Sequence, residues 1–336
     1  MEFLYPNPWN NLDTQLALLI SRGMEVTDPS KALEYLERIG YYRLSGYWFV
    51  FRERAGNVIM PKNGKNSKAQ KIQYLALDSF HAGTKFSDVV DLYIFDKQLR
   101  ILAMDALERI EVSVRGDISH VLGKKDTFAY LKPQYFHKDF GYKINQQTGV
   151  SRQHAWITKH ALLINRSKEN FIRSYKEKNG LPLAIWAACE VWNFGTLSTL
   201  YAGMIESDQD QISQKYGINS GRVFATWLRS LNYLRNVCAH HCRLWNRNMV
   251  EQPRLPSSRE LLWVQSFEND AHARARCFLS LCMISHLVKV INPNSSWSDR
   301  VAMLLKGFPV ISYLPLNLAG MGASENWEDT WALIQK

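Results

Sequence analysis

Cysteine is scarce in this sequence, with five residues in 336, an odd number without clustering. No CxxC pair occurs, which removes the usual zinc-ribbon and dithiol redox patterns. Cys238 and Cys242 do flank a His pair at a spacing of four, but no further ligands accompany them, so neither a metal nor a cofactor is expected. Such cysteine usage suits a reducing cytoplasm. Long apolar runs are missing too. The longest, around Cys277 to Ile291, is interrupted by His286 and Lys289 and is too short to span a bilayer. The opening MEFLYPNPWNN has no basic n-region and no apolar stretch, so it is not expected to act as a signal peptide. Strand-type alternation, internal repeats and long linkers are absent to the eye. Acidic residues are outnumbered by basic ones, 31 to 41, for a net charge of +10. That excess favours an anionic partner, nucleic acid above all.

What is present is a globular, helical profile: 46% hydrophobic residues, 12% aromatic and eleven Trp. The expected fold is mostly α, a bundle with long helices, an N-terminal helical extension and a packed C-terminal tail. Three regions are anticipated: 1–80 with an aromatic stretch and a basic loop, a helical core over 86–290, and a tail over 291–336. Helices are predicted over 12–22 and from Asp28-Pro29 to Gly40, where Pro suits the first turn. Tyr42, Tyr47, Trp48 and Phe51 in the following YYRLSGYWFVFRER read as core rather than as bases' stacking partners. Residues 57–71 read as an exposed loop or hairpin tip whose Lys62, Lys65, Lys68 and Lys71 could touch phosphates. The longest helical pattern runs over 86–122, about 50 Å, with Glu111 and Arg115 at i, i+4 as a surface ion pair. A basic helical stretch over 152–178 is a candidate RNA-tracking surface or a solvated face. Pro182 is expected to open an apolar helix that ends at Asn193, with Thr196 capping the next. A further helix is expected over 271–290.

The stretch on which function turns is LRNVCAHHCRLWNR, 234–247. On one continuous helix, Leu231, Leu234, Val237, Cys238, His241 and Trp245 share an inward face. Asn236, His240, Arg243 and Arg247 form an opposite polar, cationic stripe. His240 is then the working imidazole, and His241 sits at the edge of the core. Arg235 lies about 140° from His240 by helical arithmetic. A second copy packed across a two-fold axis would pair each Arg with the other subunit's His. Pro253 and Pro256 are expected to stop this helix. Arg115 to His120, RGDISH, repeats the Arg-to-His spacing without the Asn or the doubled His.

Four runs carry a family likeness: Gln15 to Phe51, Asp91 to Arg115, Ile185 to Tyr201, and RNVCAHH from Arg235 to His241. On these the chain resembles the bacterial Abi family (AbiD/AbiF-like abortive-infection proteins), whose core is a HEPN helical domain. The resemblance implies a phage-defence role, a HEPN-like bundle and RNA as target. It implies a metal-independent endoribonuclease whose catalytic roles fall on Arg235, Asn236 and His240, with His241 as the alternative imidazole. Arg243, Arg247, Arg115 and His120 are candidate RNA contacts. It also implies a homodimer, and a toxin restrained by a partner such as a small RNA. The rival reading is a non-catalytic module that grips a structured RNA, and a third is a helical regulatory protein whose His pair is structural.

Overall fold

The computed structural model describes residues 9–61 and 70–335. It is mostly α-helical and divides into two compact units, Met1–Gln98 with Lys306–Asn317, and Leu99–Leu305 with Leu318–Lys336. In the first unit α1 (Leu12–Ser21), α2 (Pro29–Ile39) and α3 (Tyr41–Trp48) lead into an antiparallel pair, β1 (Arg52–Pro61) and β2 (Gln70–Phe80). Local chemistry sets the helix starts. Asn11 Oδ1 accepts from Thr14 N at 2.8 Å, and Asp28 Oδ1 from Lys31 N at 3.0 Å, each satisfying a donor that the first turn leaves open. Gly40 stands between α2 and α3 with φ 93, where a side chain would be strained. Tyr47, Trp48 and Phe51 are buried as expected, and the Tyr47 hydroxyl donates to the buried Asp96 carboxylate at 2.7 Å. Tyr42 departs from that reading and is 80% exposed.

The strands pair although no strand-type alternation is evident in the sequence, where 57–71 reads as an exposed loop or hairpin tip. Their register slips between Arg52 and Arg54 and again between Ala55 and Asn57. Each slip shifts the pairing by one or more residues, and an irregular register of this kind does not carry a clean period-two signal. Lys62, Lys65 and Lys68 lie outside the described residues, and Lys71 is described only as part of β2.

α4 (Phe86–Gly123) has 38 residues, and the boundary between the units falls within it. The second unit continues with α5 (Lys138–Gly141), α6 (Arg152–Arg166), α7 (Asn170–Asn179), α8 (Ile185–Ala188), α9 (Phe194–Gly203), α10 (Glu206–Lys215) and α11 (Gly221–Ala239). It closes with α12 (Ala271–Arg274), α13 (Cys277–Ile291), α14 (Trp297–Lys306) and α15 (Trp327–Gln335). α13 is buried on almost every side and forms the centre of this unit. Trp327 and Trp331 of the tail are buried, and Trp331 Nε1 donates to Ser298 O at 3.2 Å. The apolar run after Pro182 makes only α8 and a 3-10 turn, Cys189–Val191. Thr196 is not the cap of α9. Asn193 is, with its Oδ1 accepting from Thr196 N at 3.0 Å. The expected helix over 271–290 is split between α12 and α13.

Two buried imidazoles hold helices together in the neutral form. His160 of α6 stacks on Trp156, and its Nδ1 accepts from Trp192 Nε1 at 2.8 Å. Burial pushes its pKa from 6.5 down to about 4. His286 of α13 donates from Nε2 to Tyr216 O at 2.7 Å, and burial lowers its pKa too. Below the unfolded value, unfolded chains bind protons that the folded chain refuses, so stability falls as pH falls. For His160 the loss between pH 6.5 and 4 is about 3 kcal/mol. Urea unfolding across that range checks it: wild type should lose stability steadily, and His160→Gln should start less stable at neutral pH but follow a flatter profile.

Candidate functional site

α11 begins where Ser220 Oγ accepts from Val223 N at 3.4 Å. Its inner face is Phe224, Trp227, Leu228, Leu231, Leu234, Val237 and Cys238, all buried, as the helical spacing requires. The helix does not continue to Pro253. It stops at Ala239 with His240 as its C-cap, and His241 takes φ 55. Three bonds close the end: His240 N to Asn236 O at 3.0 Å, His241 N to Cys238 O at 3.0 Å, and Cys242 N to Val237 O at 3.0 Å. The last is the six-to-one bond of a Schellman turn, which satisfies carbonyls that a helix end leaves open. Glycine is the usual occupant of the left-handed position, and here it is histidine.

This stop rearranges the expected faces. His241 is exposed rather than set at the edge of the core. Trp245 is buried, but on the chain that leaves the helix rather than on the helix. Arg243 and Arg247 do not extend the stripe of Asn236 and His240. Arg243 is half-buried two residues past the turn. Arg247 returns to α11 by another route, its Nε donating to Tyr233 Oη at 3.1 Å. Tyr233 and His240 are seven residues apart and lie on the same meridian of the helix. The outgoing chain is tied down by Arg100, 5% exposed, whose Nη1 reaches Cys242 O at 3.4 Å, and by Met249 N bonding Ala275 O at 2.8 Å. Gly320 gives Trp245 its room, since a Cβ there would stand 2.4 Å from the indole.

The polar end of α11 therefore holds Arg235 and Asn236, half-buried, and His240 and His241, exposed. Arg235 Nη1 donates to Asn236 Oδ1 at 3.2 Å. Glu111 of α4 bonds Arg115 and also lies within reach of the Arg235 charge. Burial pushes its carboxyl above the ordinary value, while the charges of Arg115 and Arg235 pull it back. Sequence spacing points to Glu111 only as a partner of Arg115, and nothing along the chain signals its tie to Arg235. Arg115 itself is committed to structure. Its Nη2 bonds Glu111 Oε1 at 3.1 Å and Trp192 O at 3.0 Å, and its Nη1 reaches Glu190 at 3.4 Å. Arg115 and Glu111 are each only 15% exposed at the side chain, so this is not the surface pair the spacing suggests. His120 is exposed near the end of α4, with no side-chain hydrogen bond among the described residues.

Among the described residues no three His, Cys, Asp or Glu side chains gather as metal ligands, and no helix is long and apolar enough to cross a membrane. The arrangement offers a guanidinium, an amide and two accessible imidazoles, which is equipment for gripping a phosphate and moving a proton.

Two outcomes follow from this geometry. His241→Gly removes the left-handed penalty of about 1 kcal/mol and should raise the melting temperature by roughly 2–4 °C, whereas His241→Val should lower it. Arg115→Ala strips Glu111 and Trp192 O of their partner and should cost about 2 kcal/mol, while His240→Ala, at an exposed cap, should leave the melting curve within about 0.5 kcal/mol of wild type. Thermal denaturation of the purified variants measures all four.

No curated protein and no solved structure matches the chain. The profile of the family described as Abi-like protein matches residues 34–246, a span that takes in α4, α11 and the turn at His240 and His241. The chain belongs to the Abi-like protein family.

Proposed function

We propose that this protein is a HEPN-type, metal-independent endoribonuclease that acts in abortive infection, the phage-defence setting of its family. The observation that carries the reading is the end of α11, where Arg235 and Asn236 stand one turn before two exposed imidazoles. In the reaction an RNA 2′-OH attacks its own 3′-phosphate. One imidazole, His240 foremost, acts as base or acid, because imidazole exchanges protons near neutral pH. The 2′ proton leaves as the O2′–P bond forms. The P–O5′ bond then breaks, and a proton passes to the 5′ oxygen. Arg235 holds the pentacoordinate phosphate with paired donors, and Asn236 orients it. The products are a 2′,3′-cyclic phosphate and a 5′-OH.

A helix keeps Arg235 and His240 on different sides, so a second copy facing this end supplies the missing group, and the active unit is a homodimer. One observation favours the non-catalytic alternative, in which the same surface only grips RNA. Within the chain Arg235 is already engaged by Asn236 and by the Glu111 charge. Incubation of purified protein with RNA and DNA in EDTA separates the two. Cleavage of RNA alone is expected, with cyclic phosphate ends. His240→Ala should reduce it by about 10²–10⁴ and Arg235→Ala by about 10²–10³, with Asn236→Ala milder. Cutting that survives replacement of both His240 and His241 by Ala overturns the catalytic reading, and RNA binding without any cutting by wild type favours the alternative.

A further inference from the structure

An open groove of about 600 Å³ is walled by α6 on one side and by the start of α9 and Asn232 of α11 on the other. Arg152, Lys159 and Arg166 of α6 line it. They recur every seven residues, so they share one face and form a row about 21 Å long. All three are exposed, and none has a carboxylate within 4 Å among the described residues. The row is held in position from within: Trp156 of α6 is buried, and its Nε1 donates to Thr196 O of α9 at 2.9 Å. From the far wall comes Asn232, one turn before Asn236 on α11. Its amide is half-buried and makes no hydrogen bond among the described residues, and it rests against Gly195, where a Cβ would stand 3.3 Å from Oδ1.

We propose that this groove binds the backbone of single-stranded RNA and leads it to Arg235, Asn236 and His240, an assignment that rests on RNA being the target of that site. Arg152 lies over the Phe140 ring at 5.8 Å, and a row of cations without carboxylate partners among the described residues suits a chain with regularly spaced phosphates, while the amide of Asn232 supplies both donor and acceptor for a ribose or base edge. An acidic peptide would meet the same charges but has no reason to run on to a phosphate-gripping guanidinium.

The test is fluorescence anisotropy with a labelled single-stranded RNA of about 12 nucleotides, using full-length His240→Ala protein so that the probe stays intact. Adding Arg152→Glu, Lys159→Glu and Arg166→Glu should weaken binding at least tenfold and lower the salt slope by about 2. A control with Lys31→Glu, Lys97→Glu and Lys124→Glu, equal in charge change and exposed elsewhere, should bind nearly as before. Lys159→Gln and Asn232→Ala, singly, should each weaken binding several-fold, which keeps the test open if the triple variant folds poorly. Equal binding by the groove variants and the control overturns the groove, as does absence of RNA binding, or displacement of RNA by polyglutamate at matched charge. Groove-dependent binding in a protein that cuts no RNA upholds the groove and fails the nuclease reading instead.

Discussion

The end of α11 depends on one backbone torsion. His241 at φ 55 closes the Schellman turn and sends the chain away from the helix axis. Had the helix run on, Arg243 and Arg247 would have extended a cationic stripe and Trp245 would have faced the core from the helix itself. Instead Leu244 and Trp245 are buried by the departing chain, and Arg247 swings back to Tyr233. The turn also exposes two adjacent imidazoles at the one place where the last helical carbonyls are already satisfied. A non-glycine residue in that conformation is held there by its surroundings at some cost, a pattern that concentrates at functional sites.

Electrostatics sorts the arginines into two kinds. Arg115 is enclosed by Glu111, Glu190 and the Trp192 carbonyl, and it fastens α4 to the chain before α9. Arg235 shares the Glu111 charge but, among the described residues, its one side-chain hydrogen bond is to its neighbour Asn236. One carboxylate thus serves a structural cation and biases a candidate catalytic one. The row on α6 is a third case, three cations with no acidic partner among the described residues, held outward by a buried Trp156 and His160 on the same helix. Net charge alone does not distinguish these situations, since a paired and an unpaired arginine count equally in it.

Much of the fold is legible along the chain because the signals are local. The helix starts near Leu12 and at Asp28-Pro29, the long apolar period of α4 and the inward face of α11 each need only a few neighbouring residues to be read. A loop or hairpin tip was legible over 57–71, but the strands were not, because two register slips break the alternation that marks a strand. Thr196 looked like a cap because its type suits one, yet Asn193 has the β-region backbone that places its oxygen over the first turn. Tyr42 looked like core because it stands among aromatics, yet its position on α3 faces outward.

The sequence by itself determined that the chain is helical, that it is basic, that it lacks a patterned metal-ligand set, and that Arg235, Asn236 and the His pair follow one another on or beside one apolar-faced helix. These follow from residue type and short-range spacing. Only the tertiary structure decided where that helix stops, that the charges of Glu111 and Arg235 act on each other, that Arg115 is a structural cation, and that Asn232 meets the α6 row across a groove. Those facts depend on groups far apart in sequence and on a single left-handed residue, and neither leaves a periodic trace in the order of amino acids.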